Sequence, residues 1–227
     1  MRAEEPEVHP EWGPFGVPLF DGPEAQSLSR VGVIDIGSNS VRMVIFDGAA
    51  RSPAYFFNEK ILCGLGAGFS ETGLLNPQGK IRALAALRRF ARLAEAAEVS
   101  PMLAVATAAV RDAKDGLAFR EQVRAETGLS IRVIDGAEEA RLSAQGVLLG
   151  WPGAAGLICD IGGSSMELAE LKGSGKVGQR ATSDLGPLKL MGMTCSKKAL
   201  RAHIKAEVAT LAKGFPETPG RLFLVGG

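Results

Sequence analysis

The chain has 227 residues, of which 46% are hydrophobic and 22% are charged, so it can bury the cores of one or two domains. Its 26 Lys and Arg residues nearly balance 25 Asp and Glu residues, so no net field draws it to nucleic acid or to an anionic membrane. Three cysteines without a C-x-x-C pair argue against a zinc cluster and a disulfide framework, and the acidic, Pro-containing N-terminus is unlike a signal peptide. We therefore expect a cytoplasmic protein without a nucleic-acid or membrane partner.

The N-terminal third begins with a segment that differs in composition from the rest. Residues 1–29 carry repeated prolines among Gly and Glu, which predicts a disordered extension. An apolar run then starts at Val31, and a second run covers 41–46, with Ser38, Asn39 and Ser40 between them. Turn residues between two such runs predict a β-hairpin, and a third strand is predicted at 54–62.

Strands and helices alternate along the next part of the chain. Apolar residues recur at helical spacing from Ile81 to Leu93, after Pro77, which predicts an amphipathic helix. The same patterns predict the following elements: a strand at 102–106, a helix at 115–126 closed by Gly128, a strand at 131–134 and a helix at 137–149. This alternation is typical of parallel β-α units, so the predicted fold class is α/β.

The opening pattern returns after a Gly-rich break at 150–156. Residues 157–171 repeat the order of residues 33–46: strand, Asp, Gly–Ser turn, strand. We therefore place a first domain at 30–150 and a second at 151–227. The second domain continues with the following elements: a strand at 177–185, a helix at 196–212 and a strand at 222–225. We expect this domain to be incomplete, because the last strand has no helix after it to cover its apolar face.

The two repeated turns carry the clearest indication of chemistry. Gly lets the backbone approach an anion closely, N–H groups and Ser hydroxyls donate to phosphate oxygens, and an Asp can bind Mg²⁺. One such turn is more often an ordinary hairpin, but a repeat with flanking strands favours phosphate binding. The candidate phosphate ligands are Gly37, Ser38, Asn39 and Ser40 in the first turn and Gly162, Gly163, Ser164 and Ser165 in the second. Asp35 and Asp160 precede these turns and are candidate metal ligands.

A third candidate segment contains Thr107 and Arg111. Both residues follow the strand predicted at 102–106, and open α/β sheets place ligand groups at that end of a strand. Arg111 could hold a phosphate through two hydrogen bonds. The alternative is a surface arginine that pairs with Asp112 or Asp115, and the local sequence favours neither reading.

Three glutamates complete the set of candidates. Glu138 and Glu139 open the helix after the strand at 131–134, where one could be a general base and the other could complement the helix dipole. Glu167 could join Asp160 in a carboxylate pair for Mg²⁺, or it could be a solvent-facing strand residue. The only histidines are His9 and His203, so a Ser–His–Asp hydrolase finds no support.

Four segments, in this order, resemble the Ppx/GppA family of exopolyphosphatases and guanosine pentaphosphate phosphatases: 33–40, 106–113, 135–142 and 160–168. This family belongs to the actin, Hsp70 and sugar-kinase superfamily, and segments at 58–66 and 184–190 are similar to it as well. The resemblance implies two ribonuclease-H-like domains with a cleft between them. It also implies an Mg²⁺-dependent enzyme that releases terminal phosphate from inorganic polyphosphate or guanosine pentaphosphate.

The resemblance further implies roles for individual residues. Glu139 matches the general base, Asp160 and Glu167 match metal-linked acids, and Arg111 matches a phosphate-contacting arginine. The chain departs from the family at Ser164, where Gly is common, and at Met166, where a hydroxyl residue is common. Two other functions stay open, a phosphate or nucleotide sensor without hydrolysis and an ATP-consuming kinase. A homodimer is compatible with an uncovered second domain.

Overall fold

The computed structural model describes residues 30–47, 54–216 and 220–226. The extension predicted at 1–29 lies outside these residues. The described chain forms two mixed sheets with helices packed against them, which confirms the predicted α/β class.

The first sheet has the strand order β3-β2-β1-β4-β5. Its strands are β1 (Val31–Ile36), β2 (Ser40–Phe46), β3 (Tyr55–Leu62), β4 (Met102–Ala106) and β5 (Ile131–Val133). β1 pairs antiparallel with β2 and parallel with β4, so the predicted hairpin and the predicted parallel units are both present. The helices of this part are α1 (Phe69–Thr72), α2 (Pro77–Ala96), α3 (Ala108–Asp112) and α4 (Gly116–Thr127).

Helix α2 shows why the first core forms. Asn76 caps the helix by accepting a hydrogen bond from the Gly79 N–H at 2.8 Å, and Pro77 follows at the first helical position. The apolar stripe then buries Leu87 and Phe90 completely against the sheet residues of the same cluster. The helix contacts mainly β2 and β3 of the sheet, and β2 begins at the first of the two repeated turns.

The second sheet repeats this topology with the order β8-β7-β6-β9. Its strands are β6 (Ala155–Ile161), β7 (Met166–Lys172), β8 (Val177–Ser183) and β9 (Leu222–Gly226). The helices are α5 (Gly136–Gly150), α6 (Pro187–Met191) and α7 (Lys197–Ala212). β6 pairs antiparallel with β7 and parallel with β9, as β1 does with β2 and β4. The internal repeat predicted from the sequence is therefore a repeat of topology.

Helix α5 links the two sheets. It follows β5 of the first sheet, yet it packs on β7 and β8 of the second. Ala140 and Ala144 on this helix belong to the second core, together with Ile158, Ala169 and Leu171. The domain limits at 30–150 and 151–227 stay a prediction.

On β9, Leu222 and Leu224 are exposed, while Phe223 and Val225 contact the second core. Within the described ranges, no helix combines the length and the hydropathy needed to cross a membrane.

Candidate active site

The two repeated turns have the same backbone geometry. In the β1–β2 turn the Gly37 N–H donates to the Ser40 carbonyl at 2.9 Å, and in the β6–β7 turn the Gly162 N–H donates to the Ser165 carbonyl at 3.0 Å. In each turn this hydrogen bond joins the first and the fourth residue, and the two residues between them can present their N–H groups to a ligand.

The two turns also face each other, although they belong to different sheets. A Cβ built on Gly163 would lie 3.2 Å from Ser38 Cβ and 3.6 Å from the Asn39 nitrogen. Gly66 lies between the turns, because its Cβ would be 3.1 Å from Ser38 Cβ and 3.3 Å from Ser164 Oγ. Residue 66 must therefore be small for the turns to approach this closely. Its place was not apparent from the sequence, although it lies within the Gly-rich stretch at 64–68.

Acidic side chains gather beside the turns. Asp160 on β6 lies opposite Glu167 on β7, and Ser143 of α5 donates a hydrogen bond to Asp160. Asp35 on β1 is near enough to Asp160 for their charges to interact. Asp35 is open to solvent, but the protein around it displaces enough water to raise the pKa of its carboxyl. Asp160 raises that pKa further, and Arg42 opposes the rise.

Glu167 is buried, with only 1% of its surface exposed, so it is not the solvent-facing strand residue that the sequence left open. Its Oε1 accepts a hydrogen bond from the Thr182 hydroxyl at 2.9 Å. Burial raises the pKa of this carboxyl, the hydroxyls of Ser165 and Thr182 lower it, and the negative charge of Asp160 raises it. Glu167 is suited to bind a cation, because the positive charge would compensate its carboxylate for the hydration lost on burial.

Glu139 points into the same group of charges from the first turn of α5. Burial raises its pKa to about 8, the negative charge of Glu167 adds to the rise, and Arg111 opposes it. Among the described residues, Glu139 Oε2 and Glu167 Oε2 are buried without a hydrogen-bond partner. A buried carboxylate oxygen without a partner indicates a site for a ligand, a proton or a cation.

Glu138 directly precedes Glu139 but has a different environment. It forms an ion pair with Arg141, whose Nε donates to Glu138 Oε2 at 2.7 Å. The cap of α5 is Asp135, which accepts from the Glu138 N–H at 2.8 Å. The sequence left open which of the two glutamates only complements the helix dipole, and it did not predict that Glu138 pairs with Arg141.

Arg111 forms the ion pair with Asp112 that the sequence left open as one alternative, and its contact with a phosphate stays a prediction. Its Nε donates to Asp112 Oδ1 at 2.9 Å, as a surface pair would, and its charge also acts on Glu139 and Glu167. Thr107 precedes α3 and makes no side-chain capping bond to it.

Lys189 of α6 is a second cation near Arg111, and sequence reasoning missed it. Its Nζ lies 2.5 Å from Asp184 and 3.8 Å from Asp112.

The donor set fits Mg²⁺. In the part of the chain that the structure describes, no group of three or more His, Cys, Asp or Glu residues is placed to hold a metal ion. Mg²⁺ seldom needs such a cluster, because it commonly binds one or two carboxylates and completes its shell with water and substrate phosphates. Glu167, whose Oε2 has no hydrogen-bond partner among the described residues, and Asp160 on the neighbouring strand provide such a pair of carboxylates.

The Ppx/GppA phosphatase family model matches residues 43–227 of the chain. The chain belongs to the Ppx/GppA phosphatase family. This membership confirms the resemblance that the sequence motifs indicated.

Two curated relatives of this Ppx/GppA chain are exopolyphosphatases of Mycobacterium tuberculosis. It is 34% identical to Exopolyphosphatase 2 over 175 residues, which cover 72% of this chain and 54% of that protein. It is 31% identical to Exopolyphosphatase 1 over 143 residues, which cover 62% of this chain and 42% of that protein. The chain thus spans about half the length of these relatives.

Solved structures of the family agree with the fold. An exopolyphosphatase from Cytophaga hutchinsonii gives a TM-score of 0.73 at 27% identity and covers 82% of this chain and 61% of that one. The PPX-GPPA enzyme of Aquifex aeolicus gives a TM-score of 0.73 at 26% identity, with 88% of this chain and 68% of that one covered. The expected architecture of two ribonuclease-H-like units, as in actin, is therefore confirmed for this Ppx/GppA chain.

Proposed function

We propose that this protein hydrolyses the terminal phosphoanhydride bond of a polyphosphate chain and releases orthophosphate. The observation that carries the proposal is the meeting of two Gly–Ser turns beside Glu139, Arg111 and a pair of opposed acids. Backbone N–H groups and serine hydroxyls on both sides of a cleft suit a ligand with phosphate oxygens on all sides. The exopolyphosphatase relatives favour inorganic polyphosphate as substrate, and guanosine pentaphosphate is the second candidate.

In the proposed mechanism the turns bind the terminal phosphate. The candidate ligands are those named from the sequence: Gly37, Ser38, Asn39 and Ser40, and Gly162, Gly163, Ser164 and Ser165. Thr107 and Arg111 lie on the first-sheet side, where the guanidinium would stabilise the charge on the phosphoryl oxygens. Holding that group between fixed donors aligns it for attack by water.

Glu139 is the proposed general base. It takes a proton from water at Oε2 as the water oxygen attacks the terminal phosphorus, and the anhydride bond to the next phosphate breaks. Asp160 and Glu167, with Asp35, would hold Mg²⁺. That ion would neutralise negative charge on the phosphates. A general base contributes about 10²–10⁴-fold to such a reaction.

The second candidate function is a binding module that holds a phosphate chain without hydrolysis. It is favoured by the pKa of Glu139, raised to about 8, because a base that is largely protonated at neutral pH takes no proton from water. Positive charge introduced beside Glu139 lowers its pKa and leaves the carboxylate able to accept a proton from water. Mg²⁺ should therefore start phosphate release by a hydrolase, whereas a binding module would release no phosphate with or without Mg²⁺.

The test compares the wild type with Glu139→Gln in Mg²⁺-dependent release of orthophosphate from both substrates. Glu121→Gln is the matched control, because Glu121 is an exposed residue of α4 outside this group of acids. We expect Glu139→Gln to lose activity by at least about 100-fold while polyphosphate still binds, and the control to match the wild type. Binding without phosphate release by the wild type at any Mg²⁺ concentration would establish the binding module instead.

A further inference from the structure

Thr182 at the end of β8 contacts the helix that carries Glu139. A Cβ built on Gly136, the first residue of α5, would lie 2.5 Å from both Oγ1 and Cγ2 of Thr182. That separation is shorter than any normal contact, so the helix reaches the strand only because residue 136 has no side chain. The position of the first turn of α5, and with it Glu139, is therefore set against Thr182.

The same threonine is bonded to the most buried acid of the site. Its hydroxyl donates to Glu167 Oε1 at 2.9 Å, while Glu167 Oε2 has no partner among the residues that the structure describes. The Ser165 hydroxyl also lowers the pKa of this carboxyl, so two hydroxyls stabilise its charged form while Oε2 stays available. The bond from Thr182 limits rotation of the carboxylate, because Thr182 stands on a strand paired with β7.

We propose that Thr182 is a positioning residue that fixes Glu167 for a divalent cation and sets Glu139 relative to it. The inference rests on the proposed function for the reaction, but the cation-binding part can be measured without substrate. Partners of this kind, which hold a metal-ligating group from behind, typically change metal affinity by about 10–100-fold when removed.

The position allows a clean pair of substitutions. Thr182 is exposed to solvent on its other side, so replacement is not expected to unfold the protein. Thr182→Val keeps the branched shape against Gly136 and removes the hydroxyl donor. Thr182→Ser keeps the donor and removes the methyl group. A purely structural role in packing would make the serine variant the more harmful of the two.

The matched control is Ser183→Ala. Ser183 is the adjacent residue, and its hydroxyl donates to the Met166 carbonyl at 3.4 Å rather than to an acid. A loss seen with Thr182→Val and absent in Ser183→Ala would therefore come from the bond to Glu167 and not from a general weakening of β8.

The experiment titrates the free chain with Mn²⁺ and follows the unbound ion by electron paramagnetic resonance. We expect Thr182→Val to weaken Mn²⁺ binding by about 10-fold, and Thr182→Ser and Ser183→Ala to stay close to the wild type. In the phosphate-release assay, Thr182→Val should need a correspondingly higher Mg²⁺ concentration for half-maximal activity. Equal Mn²⁺ affinity in Thr182→Val and the wild type, a serine variant as weak as the valine variant, or no Mn²⁺ binding by the wild type would overturn the inference.

Failure of the inference and failure of the proposed function give different results. A chain that releases no phosphate, but whose Mn²⁺ affinity depends on the hydroxyl of Thr182, would refute the hydrolase and support the positioning residue. A chain that hydrolyses polyphosphate equally well with valine or threonine at 182, at every Mg²⁺ concentration, would keep the hydrolase and refute the positioning residue.

Discussion

At the residue scale, two adjacent glutamates on one helix have opposite environments. Glu138 is paired with the buried Arg141, whereas Glu139 stands beside other acids with a buried oxygen that has no partner in the described chain. The sequence alone did not separate them, because both lie in the first turn of α5 and both suit a helix N-terminus. Only the family resemblance selected Glu139, and its catalytic role stays a prediction.

The raised pKa of Glu139 predicts a pH-dependent stability in the absence of Mg²⁺. Its pKa rises from 4.5 to about 8 in the folded chain, so its contribution to stability is intact below about pH 4.5 and is lost progressively as the pH rises to about 8. Glu139→Gln removes this titration. We expect the variant to be more stable than the wild type at pH 9 and nearly equal at pH 4.5, measured by urea unfolding. The same stability difference at both pH values would contradict this environment for Glu139.

Glu138→Gln should have the opposite effect. It removes the carboxylate that accepts two hydrogen bonds from Arg141, a side chain that is only 3% exposed. Breaking a buried ion pair from one side costs about 3 kcal/mol. We expect a loss of stability in urea unfolding at pH 7, with activity per folded molecule retained. A variant as stable as the wild type would show that the pair contributes nothing net.

At the element scale, the repeated hairpins followed from the sequence and the short helices did not. Both strand–Asp–Gly–Ser–strand units were predicted, since strand alternation and turn chemistry are local. Helices α1, α3 and α6 were missed, because four or five residues are too few to show a helical period. Their positions depend on tertiary contacts, such as the bond from the Leu188 N–H to the Gly163 carbonyl at 2.8 Å.

Two glycines of α5 predict opposite responses to alanine. Gly136 meets Thr182 in the first turn, so Gly136→Ala should push the helix from β8 and lower both stability and activity. Nothing lies within 4 Å of a Cβ built on Gly146, and Gly146→Ala should therefore raise stability by about 1 kcal/mol through helix propensity alone. Thermal unfolding and phosphate release measure both variants. A harmless Gly136→Ala would show that the helix can shift without disturbing the site.

At the scale of the whole molecule, the candidate site exists only because two sheets approach each other. Asp35, Thr107 and Arg111 come from the first sheet and its helices, whereas Asp160 and Glu167 come from the second. The sequence predicted both halves of this set, and the resemblance predicted the cleft. The halves meet through Gly66 and Lys189, whose contacts across the cleft were not predicted. Ser143 and Thr182, which donate hydrogen bonds to the acids within the second half, were not predicted either.

Gly66 tests whether the distance between the turns matters. Gly66→Ala places a methyl group against Ser38 and Ser164, which must move apart by a few tenths of an ångström. We expect weaker binding of polyphosphate and a higher KM, with little change in thermal stability, because the methyl group meets the turns rather than either core. An unchanged KM would mean that the phosphate chain does not contact both turns.

The most direct test of the account is phosphate release from inorganic polyphosphate in water enriched in ¹⁸O, with Mg²⁺ present. Attack by water on the terminal phosphorus predicts one ¹⁸O atom in each released orthophosphate, a rate lowered at least about 100-fold by Glu139→Gln, and no change with Glu121→Gln. Orthophosphate without ¹⁸O, or an unchanged rate in Glu139→Gln, would contradict hydrolysis by water activated at Glu139.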